Sequence, residues 1–240
     1  DIEFLQRAYK EINGKEARHF REDFCGTAIL CATWVKSGEE CTAEGYDLDP
    51  EPVEWGRKHN IEPLGGDADR VRLFLEDARS EGERAPDIRI AQNFSYWIFK
   101  ERAELLDYFK KTHASLADDG IFAIDLWGGS ETQEKMREKR KVDEGFTYIW
   151  DQGEYLPGSG DFTCKIHFKF KDGTKMKDAF VYDWRVWHLT GLRDMFIEAG
   201  VSQVDSYFEE DDDEDGNAEY LLDNQGEHAA AWIAYLVGQK

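Results

Sequence analysis

The stretch Arg21-Glu22-Asp23-Phe24-Cys25-Gly26-Thr27-Ala28 constrains the fold more than any other part of the chain. An apolar helical segment follows it, and the next strand-like run ends in Gly45-Tyr46-Asp47-Leu48-Asp49. A strand, a tight turn with a small residue, a helix and an acid at the end of the next strand form half of a nucleotide-binding unit. The turn lets backbone N–H groups at a helix N-terminus approach a ligand, and the acid accepts hydrogen bonds from ribose hydroxyls.

Composition limits the classes of protein to which the chain can belong. Its 240 residues fit one domain, or one domain with a substantial insertion, and 41% hydrophobic residues are ample for a core. A net charge of −21 argues against nucleic acid or an anionic membrane as the main partner, because both repel such a chain. We interpret the charge as a solvated acidic surface.

The cysteines and the apolar runs indicate a cytoplasmic protein. No apolar run approaches the roughly 18 residues that span a bilayer, and no signal peptide is visible. The four cysteines form no CxxC pair, and no histidine stands at metal-ligand spacing from them. We therefore expect reduced thiols and no metal site at Cys25, Cys31, Cys41 and Cys164.

Strand-like and helix-like segments alternate through the first half of the chain. The predicted strands are His19–Asp23, Cys41–Asp47, Val71–Glu76, Ile88–Asn93 and Gly120–Leu126, and the predicted helices are Phe4–Ile12, Thr27–Lys36, Pro50–Asn60 and Lys100–Leu116. Gly14 should end the first helix, and Asp49 should cap the helix that starts at Pro50. Repeated βα units predict a parallel, doubly wound α/β sheet with helices on both faces.

The pattern changes after Gly129. Successive strands are predicted at Phe146–Tyr155, Phe162–Phe170 and Lys175–Trp187, followed by a helix at Leu189–Ala199 and strands at Val201–Phe208 and Ala229–Val237. The Asp172-Gly173 pair is a strong hairpin signal. We therefore predict a single domain over residues 1–240, with a small antiparallel β insertion at 146–187 that shapes an acceptor site.

Arranged in this order, the chain resembles the class I S-adenosylmethionine-dependent methyltransferases over essentially its full length. The resemblance implies a Rossmann-like, doubly wound sheet of seven strands, the last of them antiparallel. The family's first motif reads acid-x-Gly-x-Gly-x-Gly, and its fixed positions fall here on Glu22, Phe24, Gly26 and Ala28. Because a side chain at Phe24 would crowd the methionine end of the cofactor, we expect the turn to differ locally there.

Three further segments match the family in order and spacing. By resemblance, Asp47 would hold both ribose hydroxyls and Leu48 would lie against the adenine ring. Asp77 would accept from the adenine amino group and Ala78 would donate its backbone N–H, while Gln92–Tyr96 would lie beside the reactive methyl group. The implied cofactor contacts are Glu22, near the methionine amino end, and Cys25, Gly26, Thr27, Asp47, Leu48, Asp77, Ala78, Asn93 and Phe94.

Candidate acceptor-site residues come from the insertion and from the segment after the fourth strand. Methyl transfer from a sulfonium is an in-line displacement, in which an oxygen acceptor often needs a general base. His167 and Tyr96 are the candidate bases, with Tyr155 and Tyr182 as alternatives, although a lone histidine in a strand is more often structural. The candidate acceptor contacts are Tyr96, Trp150, Tyr155, His167 and Arg185.

An aromatic and acidic cage is a further possibility for the acceptor site. Such a cage would suit a cationic acceptor, whereas aromatic residues on strands more often belong to the core. Its members would be Trp150, Trp184 and Trp187 with Asp151 and Glu154.

Two charged segments need an interpretation of their own. Glu209–Asp215 is a run of seven acids whose spacing imitates a calcium loop, but Leu222 stands where a bidentate glutamate is required. We therefore expect a solvated, mobile loop. Lys135–Lys141 is a basic patch, which we interpret as an exposed helix face, with steering of an anionic substrate as the alternative.

These observations predict a cytoplasmic S-adenosylmethionine-dependent methyltransferase that acts on a small-molecule acceptor and releases S-adenosyl-L-homocysteine. The alternative is a catalytically inactive protein of the same fold that binds the cofactor or a partner. Phe24 favours that alternative, whereas Asp47 and Asp77 argue against it. A nicotinamide dehydrogenase is disfavoured because Gly26 has no glycine partner at the required spacing. The sequence distinguishes neither N, O, S and C methylation nor the oligomeric state.

Overall fold

Two β-sheets and five α-helices form the part of the chain that the computed structural model describes, residues 1–143, 145–210 and 219–240. The helices are α1 (Ile2–Asn13), α2 (Ile29–Lys36), α3 (Pro50–Gly56), α4 (Arg102–Ser115) and α5 (Leu189–Glu198). The strands are β1 (His19–Asp23), β2 (Thr42–Tyr46), β3 (Val71–Phe74), β4 (Ile88–Ala91), β5 (Ile121–Gly128), β6 (Met136–Lys141), β7 (Phe146–Gln152), β8 (Asp161–Phe170), β9 (Lys175–Arg185), β10 (Gln203–Glu210), β11 (Glu219–Leu222) and β12 (Trp232–Gln239).

The main sheet has the order β11-β10-β12-β5-β4-β1-β2-β3. β3, β2, β1, β4 and β5 run parallel, and β12 pairs antiparallel with β5. The doubly wound sheet with an antiparallel last strand is thus confirmed. The short strand β11 adds an eighth strand at the edge, which the sequence analysis did not predict.

Local signals for two helix ends work as the sequence indicates. Gly14 follows α1 with a left-handed φ of 67°, and its N–H donates to the carbonyl of Lys10. The side chain of Asp49 accepts from the N–H of Glu51 at 3.0 Å, so it caps α3. The helix predicted to reach Asn60 instead continues beyond α3 as a π-helical turn, Arg57–Ile61.

The core consists of two clusters of buried side chains. One cluster is formed by side chains of α1, α2 and the first strands. In it the rings of Phe20 and Trp34 stack with their centroids 5.0 Å apart. The other lies against α4 and α5 and includes Phe162 and Trp184 of the second sheet. The second sheet therefore shares a hydrophobic core with the main sheet. None of the helices in the described ranges is long and apolar enough to cross a membrane.

The second sheet, in the order β6-β7-β8-β9, is antiparallel throughout. Its first strand corrects our interpretation of Lys135–Lys141 as a helix face, because Met136–Lys141 is β6. Alternate side chains of β6 face opposite sides, and Arg137 pairs with Asp151 of β7 at 3.0 Å. The sheet thus begins at Met136 rather than at residue 146.

The acidic run is only partly described. Glu209 and Glu210 are the last residues of β10, so they belong to a strand rather than to a loop. The remaining positions of the run, including the apparent calcium-loop residues Asp211, Asp213 and Asp215, lie outside the described residues.

Candidate active site

The carboxyl ends of β1, β2, β3 and β4 meet at one edge of the main sheet. β1 and β4 are neighbours there. After β1 the chain continues to β2 on one side of this pair, and after β4 it continues to β5 on the other side. In open α/β sheets, ligands bind at such a switch point. We call this edge the crevice. It is formed by the loop Phe24–Ala28 and by the residues that follow β2, β3 and β4.

The loop after β1 keeps a backbone that normally requires glycine. Phe24, Gly26 and Ala28 have φ values of 58°, 50° and 53°. The left-handed region costs a non-glycine residue about 1–2 kcal/mol, and contacts of the Phe24 ring with Phe99 and Tyr108, both at 6.1 Å between centroids, offset part of that cost. Phe24 thus has the same left-handed backbone as Gly26 and Ala28, while the expectation that the turn differs from that of the family at Phe24 stays a prediction.

Asp47 faces this loop from the end of β2. Its Oδ2 accepts from the N–H of Gly26 at 2.8 Å, and its Oδ1 accepts from the N–H of Asp49 at 2.9 Å. Next to it, the side chain of Leu48 is 67% exposed at the rim of the crevice. On the other side, the carbonyl of Thr27 accepts from the Asn60 side chain at 2.8 Å. A carboxylate and an apolar surface thus adjoin the loop.

Glu22 and Cys25 are buried at the base of the crevice. Oε2 of Glu22 accepts from the N–H of Cys31 at 3.2 Å and from its thiol at 3.1 Å. Burial raises the pKa of Glu22 to about 8, and the nearby carboxylates of Asp47 and Asp23 add to the shift. The buried site therefore favours the protonated form of Glu22. Burial also raises the pKa of the Cys25 thiol.

Asp77 follows β3 and pairs with a neighbour in the sequence. Its two carboxylate oxygens accept from Nε and Nη2 of Arg79 at 2.8 and 2.7 Å. These hydrogen bonds hold the pKa of Asp77 at about 2. The carboxylate is half-buried, so it stays charged and partly accessible at the edge of the crevice.

Two buried arginines hold Ala78, the next residue of this segment. Its carbonyl accepts from Arg21 of β1 at 2.9 Å and from Arg89 of β4 at 2.5 Å. Both guanidinium groups also bind the buried carboxylate of Asp23, at 2.9 and 2.7 Å. The sequence analysis missed this network, whose signal is the presence of charged residues in strands as short as β1 and β4.

The residues after β4 are held by a half-buried acid of the neighbouring strand. Asn93 and Phe94 have left-handed φ values of 53° and 56°. Their N–H groups donate to the two carboxylate oxygens of Asp125 in β5, at 2.8 and 3.0 Å. Burial raises the pKa of Asp125 to about 7, against the effect of these two hydrogen bonds. The sequence analysis missed Asp125 too, although an acid inside the apolar run Ile121–Leu126 was a usable signal.

A cavity of about 520 Å³ lies between the two sheets, next to the loop after β4. Trp127 of β5 and Trp150 of β7 form part of its wall, with ring centroids 6.1 Å apart. Most of the side chains that line the cavity are aromatic or acidic. The aromatic residues are Phe94, Trp127, Tyr148, Trp150 and Trp232, and the charged ones are Glu131, Glu138, Glu209 and Arg140.

The structure does not bring Tyr96 to this cavity as a candidate base. Tyr96 is fully buried, and its hydroxyl donates to the backbone carbonyl of Asp125 at 2.9 Å. Burial also raises the pKa of this hydroxyl. Both its position and its hydrogen bond are those of a structural side chain.

His167 lies on the opposite face of the second sheet from the cavity. It alternates with Ile166 and Phe168, and its Nδ1 accepts from the N–H of Asp178 at 2.8 Å. Asp178 has a left-handed φ of 51° where the pairing of β8 with β9 shifts register, so His167 provides the partner that the bulge leaves missing. Its Nε2 lies 3.3 Å from Asp151. His167 is thus satisfied away from the cavity.

The other predicted acceptor contacts divide in the same way. Trp150, one of the predicted contacts, lines the cavity. Tyr155 is half-buried against the second core cluster. Arg185 donates to the carbonyl of Lys100 at 2.6 Å and lies over the ring of Trp187. Trp184 and Trp187 are buried in the core, so a cage built from them and Trp150 does not form around the cavity.

Solved structures share this fold, and they are S-adenosylmethionine-dependent methyltransferases. One from Clostridium acetobutylicum is 13% identical, with a TM-score of 0.71 over 100% of this chain and 92% of that one. An S-adenosylmethionine-bound amino pentose methyltransferase from Micromonospora echinaspora is 14% identical, with a TM-score of 0.68 over 99% and 89% of the two chains. A sugar N-methyltransferase from a Streptoalloteichus species is 17% identical, with a TM-score of 0.65 over 100% and 86%.

The chain therefore has the fold of the class I S-adenosylmethionine-dependent methyltransferases. No protein-family model and no curated protein sequence matches it.

Proposed function

We propose that this protein transfers a methyl group from S-adenosylmethionine to a small-molecule acceptor. The observation that carries this proposal is the position of Asp47. Its carboxylate ends β2 at the switch point of the sheet and lies against the left-handed loop, 2.8 Å from the N–H of Gly26. An acid at this place is suited to accept hydrogen bonds from two vicinal ribose hydroxyls.

The surrounding residues fit the other parts of the cofactor. The exposed side chain of Leu48 offers an apolar surface for the adenine ring, and Asp77 with Ala78 stands where the adenine edge would be recognised. Glu22, buried below the loop, is our candidate for the methionine amino end, where a cation would favour its charged form. The bound cofactor would supply an electrophilic methyl group on a sulfonium, and the protein's part is to align the acceptor with it and exclude water.

The cavity between the sheets supports an amine as the acceptor. Rings of Trp127 and Trp150 and the carboxylates of Glu131 and Glu138 favour a cation, and Arg140 contributes the one opposing charge among the described lining residues. An amine can attack without a strong base once it has lost its proton. Two proteins of the same fold are named as an amino pentose methyltransferase and a sugar N-methyltransferase.

Binding without turnover is the second candidate function. One observation favours it, because neither His167 nor Tyr96 lines the cavity. A hydroxyl acceptor would therefore lack the base that we predicted for it. Turnover separates the two candidates, since a binding protein would hold the cofactor without releasing S-adenosylhomocysteine.

Calorimetric titration with S-adenosylmethionine and S-adenosylhomocysteine tests the cofactor assignment. We expect the Asp47→Ala variant to bind both about 100-fold more weakly, because two charge-assisted hydrogen bonds are lost. Asp49→Ala is the matched control: it removes an acid two positions away that caps α3 and should leave affinity within about twofold. Equal affinity of wild type and Asp47→Ala would remove the ribose assignment.

The acceptor class is tested by S-adenosylhomocysteine release with paired compounds that differ only in an amino or a hydroxyl group. Amino sugars and their hydroxyl counterparts form such a series. Release that depends on the amine supports the proposal, and release with the hydroxyl members alone would contradict it. No release with either series, in a protein that binds the cofactor, would favour the binding role.

A further inference from the structure

Asp125 is a half-buried acid that lies between the crevice and the cavity. It lies in β5 beside the end of β4, and its two oxygens accept from the consecutive N–H groups of Asn93 and Phe94. Its own backbone carbonyl accepts from the hydroxyl of Tyr96. The two hydrogen bonds of the carboxylate are to the backbone of the loop that leaves β4, and Asp125 is not among the residues that line the cavity.

That loop has one residue in each site. Asn93 is exposed at the crevice, at the strand end where the cofactor is proposed to lie. Phe94 lines the cavity, where its ring lies 6.5 Å from Trp127 and 6.2 Å from Trp184 between centroids. Because Asn93 and Phe94 are consecutive, the backbone conformation at these two residues determines how the crevice and the cavity are placed relative to each other.

The loop needs an external partner to keep its shape. Asn93 and Phe94 both have a left-handed backbone, which is unfavourable for a side chain as large as that of Phe94. Beyond the two N–H groups bound by Asp125, the turn is closed by Ser95, whose hydroxyl donates to the carbonyl of Gln92. Loss of the carboxylate would let the two residues relax toward more favourable φ values, and both sites would change together.

We propose that Asp125 is a positioning residue for methyl transfer, which holds Asn93 and Phe94 so that the crevice and the cavity stay in register. This inference rests on the proposed function, since it assigns the cofactor to the crevice and the acceptor to the cavity. Asp125 touches neither ligand in this account and acts through two backbone N–H groups.

The chain offers a matched control at the other end of the same sheet. Oδ2 of Asp87 accepts from the consecutive N–H groups of Arg18 and His19, both at 2.8 Å. Asp87 immediately precedes β4, and Asp125 lies beside the carboxyl end of β4. Each of the two acids accepts from two consecutive N–H groups. Asp87→Asn and Asp125→Asn therefore replace a carboxylate by an amide at the edge away from the crevice and at the edge that forms it. One oxygen of Asp87 accepts from both N–H groups, whereas Asp125 uses one oxygen for each.

The experiment compares wild type, Asp125→Asn and Asp87→Asn by calorimetry with S-adenosylhomocysteine and by amide exchange of residues 92–97. In Asp125→Asn an amide nitrogen replaces one acceptor oxygen, so we expect about tenfold weaker binding and about tenfold faster exchange at Asn93 and Phe94. In Asp87→Asn the amide oxygen can still accept from both N–H groups, so both quantities should stay within about twofold of wild type.

A rescue variant separates positioning from general stability. Glycine adopts a left-handed backbone without a partner, so Asp125→Asn should cost less affinity when it is added to Asn93→Gly than when it is added to wild type. A merely structural acid would show no such coupling between the two substitutions.

Each result of this experiment decides something. Wild type that does not bind S-adenosylhomocysteine overturns the proposed function, and this inference with it. Wild type that binds, with Asp125→Asn binding equally well, overturns this inference alone. Equal losses in Asp125→Asn and Asp87→Asn would do the same, because they would reflect stability of the sheet.

Discussion

Replacement of Glu22 by glutamine should stabilise this protein at neutral and alkaline pH. Glu22 is buried in β1, and burial raises its pKa from an ordinary value of 4.5 to about 8. Between these two pH values the unfolded chain has lost this proton while the folded chain keeps it. The free energy of unfolding therefore falls as pH rises from 4.5 to about 8, and the contribution of Glu22 is constant above that.

The size of the effect follows from the same two values. At 1.36 kcal/mol for each pKa unit, the separation corresponds to on the order of 5 kcal/mol of stability lost by pH 8. Glutamine cannot ionise, and its carbonyl oxygen can still accept from the N–H of Cys31. Glu22→Gln should consequently remove the loss and most of the pH dependence that this residue causes.

Urea unfolding of wild type and Glu22→Gln, at a series of pH values between about 4 and 9, measures the difference directly. The difference in unfolding free energy should grow in favour of glutamine up to about pH 8 and then level off. A difference that is the same at every pH would refute the reasoning, because it would show that Glu22 is ionised in the folded state. The contributions of all other titrating groups to the unfolding free energy are the same in both proteins, so they cancel in the difference.

Two further predictions concern the acids that hold the segment after β3. Asp23→Asn should destabilise the fold by about 3–5 kcal/mol in urea unfolding, since Arg21 and Arg89 would keep two buried positive charges without a counter-charge; a loss below about 1 kcal/mol would contradict this. Asp77→Asn should flatten the acid limb of the stability curve. The pKa of Asp77 is held at about 2 by Arg79, so its contribution is present above its ordinary pKa of 3.8 and is lost as pH falls toward 2. Acid titration followed by circular dichroism checks this prediction, and an unchanged acid limb in the variant would speak against it.

Much of the fold could be predicted because local signals agreed with the tertiary structure. β1 was placed at its observed bounds, and the acid at Asp49 caps α3 as its position before a proline indicates. β6 could not be predicted in this way, because five of its six residues are charged and a charged run is equally compatible with an exposed helix. Pairing with β7, a contact between segments, decides that it is a strand.

The candidate site divides along a similar line. Asp47 and Gly26 were predicted from their match to the family's motifs, and the structure brings them within hydrogen-bonding distance. His167 was chosen for its chemistry, although alternation with Ile166 already indicated that it faces away from the core side of β8. Asp125 was missed because its role depends on a neighbouring strand, and no local pattern shows which N–H groups a half-buried acid will meet.

The left-handed residues in the loop after β1 bear on how such a loop can be recognised. Phe24 and Ala28 hold the same backbone region as Gly26, with the ring of Phe24 anchored on Phe99 and Tyr108. A bulky side chain can therefore occupy a left-handed position in this turn when neighbouring rings pack against it. A pattern that requires glycine at each such position would miss this loop, although its backbone torsion angles would reveal it.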